Sequence, residues 1–171
     1  MPTDFPVLWA QAVGWADYLR PDMEQYRLWQ GVASRVELPP WAEAAFAETP
    51  LRRLLVLAAD WCGDAANTVP VLAALAARRG LELRVLERDS VPQLMDRYLT
   101  NGSRSIPIAI GLDDGFRELG HWGPRPLALQ TWMLANQATI PSPQRYAFAR
   151  QWYARDKGET TLRELHAAIS G

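Results

Sequence analysis

Leu54-Leu55-Val56-Leu57-Ala58-Ala59 runs without a polar break into Asp60-Trp61-Cys62-Gly63-Asp64. An unbroken apolar run of this kind is expected of a strand buried on both faces. Beyond it, from Ala65 to Arg79, the residues Val69, Leu72, Leu75 and Ala76 form a helical stripe, and Gly80 supplies the stop. Cys62 is the chain's only cysteine, and Ala65 stands where a Cys-x-x-Cys motif would close.

Outward from this strand–loop–helix, the pattern continues regularly. Leu81 to Leu86 alternates as a strand, Val91 to Leu99 reads as a second helix ending at Asn101-Gly102, and Ile106 to Ile110 as a further strand. Asp113-Asp114-Gly115 is a hairpin signal leading into Phe116 to Trp122, and Leu127 to Asn136 is helix-like. The order β-α-β-α-β-β-α predicts an α/β fold with a mixed central sheet and helices on its faces. On the N-terminal side, Leu8, Ala12, Trp15 and Leu19 predict one helix stopped by Pro21. Asp22 and Gln25 form a capping-box pattern for a second, and Pro39-Pro40 opens a third that Thr49-Pro50 ends. Past Ile140, Ser142 caps and Pro143 begins a helix bearing Tyr146, Phe148, Trp152 and Tyr153. Gly158 breaks it, and Thr161 to Glu164 opens a last helix with Leu162, Leu165 and Ile169 inward. The chain divides into an N-terminal helical extension (1–50), a core (51–136) and a C-terminal helical extension (137–171), all in one compact domain.

Composition bounds the function. With 49% hydrophobic residues and eight tryptophans in 171 residues, a sizeable core is assured. A net charge of −1 with interspersed signs lacks the basic stripe of a nucleic-acid surface. No apolar stretch is long enough to span a bilayer, and the N-terminus lacks the basic region of a signal peptide. One cysteine forms no internal disulfide, which suits a reducing compartment, and the expected location is the cytoplasm. Two histidines, His121 and His166, offer no metal-site spacing and read as structural or solvated.

The element order with Trp61-Cys62-Gly63 at the first strand-to-helix junction resembles the thioredoxin fold. Thioredoxins place a proline within the helix after the active-site cysteine, where Pro70 stands. They also place a cis-proline before the third core strand, across from that cysteine, and Ser105-Ile106-Pro107 has this form. Gly115 falls where they have a hairpin glycine, and the likeness covers roughly residues 51 to 136. Bacterial thioredoxin-like proteins with Trp-Cys-Gly-Asp and long helical additions are the nearest in form. Two departures stand out: Ala65 replaces the second cysteine, and Val56 replaces the buried acid of the proton relay.

At a helix start, backbone N–H groups face the sulfur and favour the thiolate, so Cys62 is expected to be exposed with a lowered pKa. The bland alternative is a small buried hydrophobe. Gly63, Asp64 and Ala65 form the helix start; Asp64 opposes the thiolate but suits a first helical turn. For Asp60, capping the loop, pairing with a base and accepting the thiol proton all stay open. Trp61 is read as a groove wall, Trp122 as a packing residue, and Asn67 as a surface polar residue. The resemblance implies a substrate platform at Ile106 and Pro107; Arg104, two residues before Ile106, could hold a substrate carboxylate, favour the thiolate, or be solvated in its loop.

One thiolate suffices to form a mixed disulfide, but the second sulfur must come from elsewhere. The expected function is therefore one-cysteine thiol–disulfide exchange, with protein thiols or disulfides, or a low-molecular-weight thiol such as glutathione or bacillithiol, as co-substrate. No cofactor, metal, nucleic acid or membrane is expected, and the oligomeric state is left open. The alternative is a non-catalytic thioredoxin-fold binding module. A shared iron–sulfur cluster does not fit Asp64-Ala65 after Cys62-Gly63, and a peroxidatic cysteine lacks the Thr-x-x-Cys context.

Overall fold

Leu54 to Ala58 are each fully buried, and the strand that holds them is the middle one of five. The computed structural model describes residues 2–171. The strands are Val13–Gly14 (β1), Arg53–Ala58 (β2), Glu82–Glu87 (β3), Ile108–Leu112 (β4) and Glu118–Trp122 (β5). They lie in the order β1-β3-β2-β4-β5, with β2 parallel to β3 and every other pair antiparallel. Val56 pairs with Val85 on one side and Ala109 on the other. The position that would carry a proton-relay acid is thus sealed in apolar sheet.

Before β2 come Phe5–Gln11 (α1), Trp15–Tyr18 (α2), Tyr26–Arg35 (α3) and Pro40–Ala47 (α4). The core helices are Gly63–Arg79 (α5), with Pro70 inside it, Pro92–Met95 (α6) and Leu127–Ala135 (α7); Ser142–Asp156 (α8) and Glu159–Ser170 (α9) close the chain. The run β2-α5-β3-α6-β4-β5-α7 is the mixed α/β order expected from the sequence.

Several local expectations are corrected. The single helix through Leu8 to Leu19 is interrupted: Ala12 turns extended (ψ 149°), and Val13–Gly14 pairs with Val85 and Arg84 at the free edge of β3. An unpaired sheet edge offers backbone hydrogen bonds that a short helix cannot match. Asp22 does not cap; it pairs with Arg20 at 3.1 Å, and α3 starts only after Gln25, which is left-handed (φ 57°). The helix expected over Val91 to Leu99 spans four residues before tighter turns bury Tyr98, whose hydroxyl donates to Glu118 at 2.9 Å. The third core strand begins at Ile108, since Pro107 has no N–H for the ladder. Ser142 is the first residue of α8 rather than its cap, and α9 begins at Glu159.

The C-terminal helices dock by close backbone approach. A Cβ on Gly120 in β5 would lie 2.1 Å from the Ala168 carbonyl oxygen of α9, so only glycine fits. At the α8–α9 corner, Lys157 (φ 55°) and Gly158 (φ 80°) are both left-handed, and a Cβ on Gly158 would strike Val71 of α5. Between α7 and α8 a satellite cluster forms from Leu129, Met133, Ala149 and Tyr153, with Trp132 stacked on Phe148.

Candidate functional site

The chain leaves β2 and turns at once, with the Cys62 N–H donating to the Ala59 carbonyl at 3.1 Å. Cys62 is extended and takes the N-cap position of α5. Its Sγ accepts from the Ala65 N–H at 3.4 Å, so the helix start faces the sulfur as expected. On the opposite side the thiol donates to the Ile106 carbonyl at 3.6 Å. The Ile106–Pro107 peptide is cis, as read from the sequence, and a second cis peptide joins Gly123 to Pro124.

The expectation of an exposed, acidified thiol does not hold. Cys62 is 7% exposed. Burial pushes its thiol above the ordinary range; the Ala65 amide pulls the other way and loses, and the Asp64 charge adds to the rise. The helix terminus is present, but desolvation of a thiolate outweighs it.

The two acids beside Cys62 divide. Asp60 turns away: its Oδ2 accepts from the Glu24 N–H at 2.9 Å, and its carbonyl accepts from Trp29 Nε1 at 2.8 Å. Of the roles open to it, Asp60 takes the capping one, tying the loop to the residues before α3. Asp64 turns inward and is the polar centre of the site. Its Oδ2 accepts from Arg125 Nε at 3.0 Å and its Oδ1 from the Tyr153 hydroxyl at 2.7 Å. Burial alone would lower the Arg125 pKa, yet the attraction of Asp64 holds it above its ordinary value. The Tyr153 hydroxyl is held far above its own by burial and by Asp64. Both carboxylates are thus engaged by other residues, and neither is hydrogen-bonded to the Cys62 thiol.

An open cavity of about 480 Å³ lies over these groups. Cys62, Gly63, Asp64 and Ile106 line it; Trp61 and Tyr146, 44% and 51% exposed, stand at its mouth, and Arg88 lies 4.9 Å over the Trp61 ring. The Gln25 side-chain amide donates to the Trp61 carbonyl. Arg125 and Arg150 add two further cations. Ala65 is fully buried in the first turn of α5 and does not line the cavity. Arg104, read as a possible carboxylate holder, is not there: it makes a two-pronged pair with Asp96 at 2.8 and 3.0 Å in an exposed loop. Pro107 is buried behind Ile106, and Trp122 is buried with Nε1 donating to Glu164 at 2.9 Å. Asn67, read as a surface residue, lines the cavity and donates to the Gly63 carbonyl at 2.9 Å.

The family model for thioredoxin matches residues 15–142. The chain belongs to the thioredoxin family. Two solved structures share this thioredoxin architecture. A Pseudomonas aeruginosa protein of unknown function is 22% identical with a TM-score of 0.73, and an HIV epitope-scaffold is 20% identical with a TM-score of 0.71; 99% of each chain is covered in both comparisons. No curated protein matches. The matched thioredoxin segment ends where α8 begins, so Tyr146, Arg150 and Tyr153 reach the thioredoxin site from beyond it. That is why sequence reading missed them: Tyr153 sits in an aromatic run that reads as core. For Arg125 a signal existed, a cation held between two prolines in Pro124-Arg125-Pro126.

Proposed function

We propose that this thioredoxin-family chain is a binding module, whose cavity over Cys62 holds a partner or ligand without turnover. The shielding of Cys62 carries this reading. The sulfur is buried, engaged by Ala65 and Ile106, biased toward the thiol, and without a second cysteine or a side chain hydrogen-bonded to it. The nucleophile of exchange is the thiolate, so a thiol held protonated reacts slowly. The cavity itself has the concave form, aromatic mouth and few fixed polar groups of a ligand site. A lone thiol of this kind suits the reducing cytoplasm. The test is the pH dependence of Cys62 alkylation by iodoacetamide, native against denatured. A native rate far below the denatured one, titrating at higher pH, is expected. A native rate that titrates below about pH 7 would sink the binding-module reading.

One observation favours a second reading: Cys62 lines the cavity and receives the Ala65 N–H. In one-cysteine exchange the Cys62 thiol loses its proton to solvent and the thiolate attacks a disulfide. One sulfur–sulfur bond breaks, a mixed disulfide forms, and one thiolate leaves. A second thiolate, from a protein or from glutathione or bacillithiol, then attacks the mixed disulfide, regenerates the Cys62 thiolate and departs in a new disulfide. Whole-protein mass after incubation with glutathione disulfide at neutral pH separates the two readings. Rapid formation of a dithiothreitol-sensitive adduct on the native chain favours exchange, and an adduct only after denaturation favours the module.

A further inference from the structure

The cavity over Cys62 does not end at α8. A second cavity of about 680 Å³ lies between α3 and α8, and Leu28, Asn67, Arg150 and Tyr153 line both. The two adjoin across these four residues, with α3 and α8 on either side and Asn67 and Val71 of α5 beneath, and together they make a trough. Its far end is closed by Arg35 at the end of α3 and by Lys157, which the left-handed corner before Gly158 holds beside the trough.

The charge along this trough is unlike that of the chain as a whole. The protein has 18 basic and 19 acidic residues, yet the trough is lined by five cations, Arg88, Arg125, Arg150, Arg35 and Lys157, against Asp64 and Glu37. Two of these cations are already paired, Arg125 with Asp64 and Arg88 with Asp89, which leaves three to face an occupant. Arg35, Arg150 and Lys157 are exposed and make no ion pair among the described residues. Between the cations runs an apolar strip of Leu28, Val32, Val36, Val71 and Ala154.

We propose that this trough receives an extended peptide segment of a partner protein in which acidic and aliphatic side chains alternate. The proposal deepens the binding-module reading and rests on it. A single small ligand fills one cavity of about 300–1,000 Å³, whereas two adjoining ones suit a chain. Carboxylates placed along that chain meet arginines that present paired donors, and its aliphatic side chains cover the strip. Trp61 and Tyr146 supply the amphipathic rings that anchor such contacts at the Cys62 end. A nucleic acid would leave the apolar strip facing phosphate and sugar.

The test is a fluorescence-anisotropy titration of the full chain with a short fluorescein-labelled peptide of alternating glutamate and leucine. Alternating lysine and leucine, free glutamate and oligothymidylate serve as comparisons. The glutamate peptide is expected to bind, to weaken as salt is raised, and to lose at least about tenfold in affinity to the chain carrying Arg35→Glu and Arg150→Glu. Both substitutions are on exposed side chains, and far-ultraviolet circular dichroism reports whether the fold is kept. A second measurement needs no variant. Lys157 is the only lysine, and its acetylation, followed by mass spectrometry, is expected to slow when the glutamate peptide is saturating. Absence of glutamate-peptide binding, equal binding by the charge-reversed chain, unprotected Lys157, or equally tight binding of free glutamate or oligothymidylate would each overturn the proposal. Cys62→Ser separates it from the underlying reading. Retained peptide affinity there shows a trough that works without the thiol, while a reactive native Cys62 would remove the no-turnover reading and leave the trough standing.

Discussion

The loop from Asp60 to Asp64 and the helix α8 line the same cavity, but they reach it by opposite means. The turn into α5 is set by near neighbours, with Cys62 taking the Ala65 N–H, Asn67 donating to the Gly63 carbonyl and Thr68 to the Asp64 carbonyl. Glu24, Gln25 and Trp29 tie down the Asp60–Trp61 end. Helix α8 is organised from afar, through a Tyr153–Asp64 hydrogen bond that joins residues 89 apart. It also depends on a corner that packs Gly158 against Val71. A motif built from neighbours is written in one short stretch; a wall built from distant contacts exists only once the chain has folded.

Breaking the loop side has the largest expected effect. Trp29 is fully buried and its Nε1 holds the Asp60 carbonyl. Trp29→Ala is expected to cost about 3–5 kcal/mol in urea denaturation and to speed Cys62 alkylation as the loop loosens. An unchanged alkylation rate would show that the Trp29 contact does not shield Cys62. Breaking the C-terminal side comes next. Gly120→Ala forces the backbone of α9 away from β5 and is expected to cost about 2–3 kcal/mol, measured the same way. A cost near zero would mean that α9 is not fixed against the sheet.

Tyr153→Phe sharpens the comparison by removing one hydrogen bond to a charged partner, worth about 1.5–3 kcal/mol, with the lower end expected because Arg125 still pairs with Asp64. Its readout at the site is Cys62 alkylation, expected to rise while α5 stays folded. The pH dependence is subtler. A thiol whose folded pKa is raised binds its proton more tightly in the native state. Its contribution is therefore whole below the unfolded value of about 8.5 and is lost as pH climbs from there through the folded pKa. Stability is expected to fall above about pH 8.5 more steeply for the native chain than for Cys62→Ser; parallel curves would show that Cys62 gains no extra protonation on folding. Last, Arg104→Ala is expected to leave both melting temperature and Cys62 alkylation unchanged, since its pair with Asp96 lies in an exposed loop.

The same contrast explains what could be read in advance. The apolar run of β2, the stripe of α5 and the Ile106-Pro107 dipeptide impose their structure locally, so fold and sulfur position were legible from the residues. Val13–Gly14 was not, because its strand exists only where β3 offers a free edge. The thiol's state was misread for a related reason: the helix start is a local feature, whereas the burial that outweighs it comes from the surrounding fold. Asp64 looked like an ordinary first-turn acid until Arg125 and Tyr153 arrived from 61 and 89 residues away.

Of the eight tryptophans, Trp61 alone is exposed. The molecule thereby carries an intrinsic optical reporter at the mouth of its cavity. Its half-exposed indole is expected to emit to the red of buried rings such as Trp29 and to be the more open to a collisional quencher such as iodide. Any occupant that covers the mouth would shift that emission to the blue and shield it from iodide, so the chain announces a bound guest without a label.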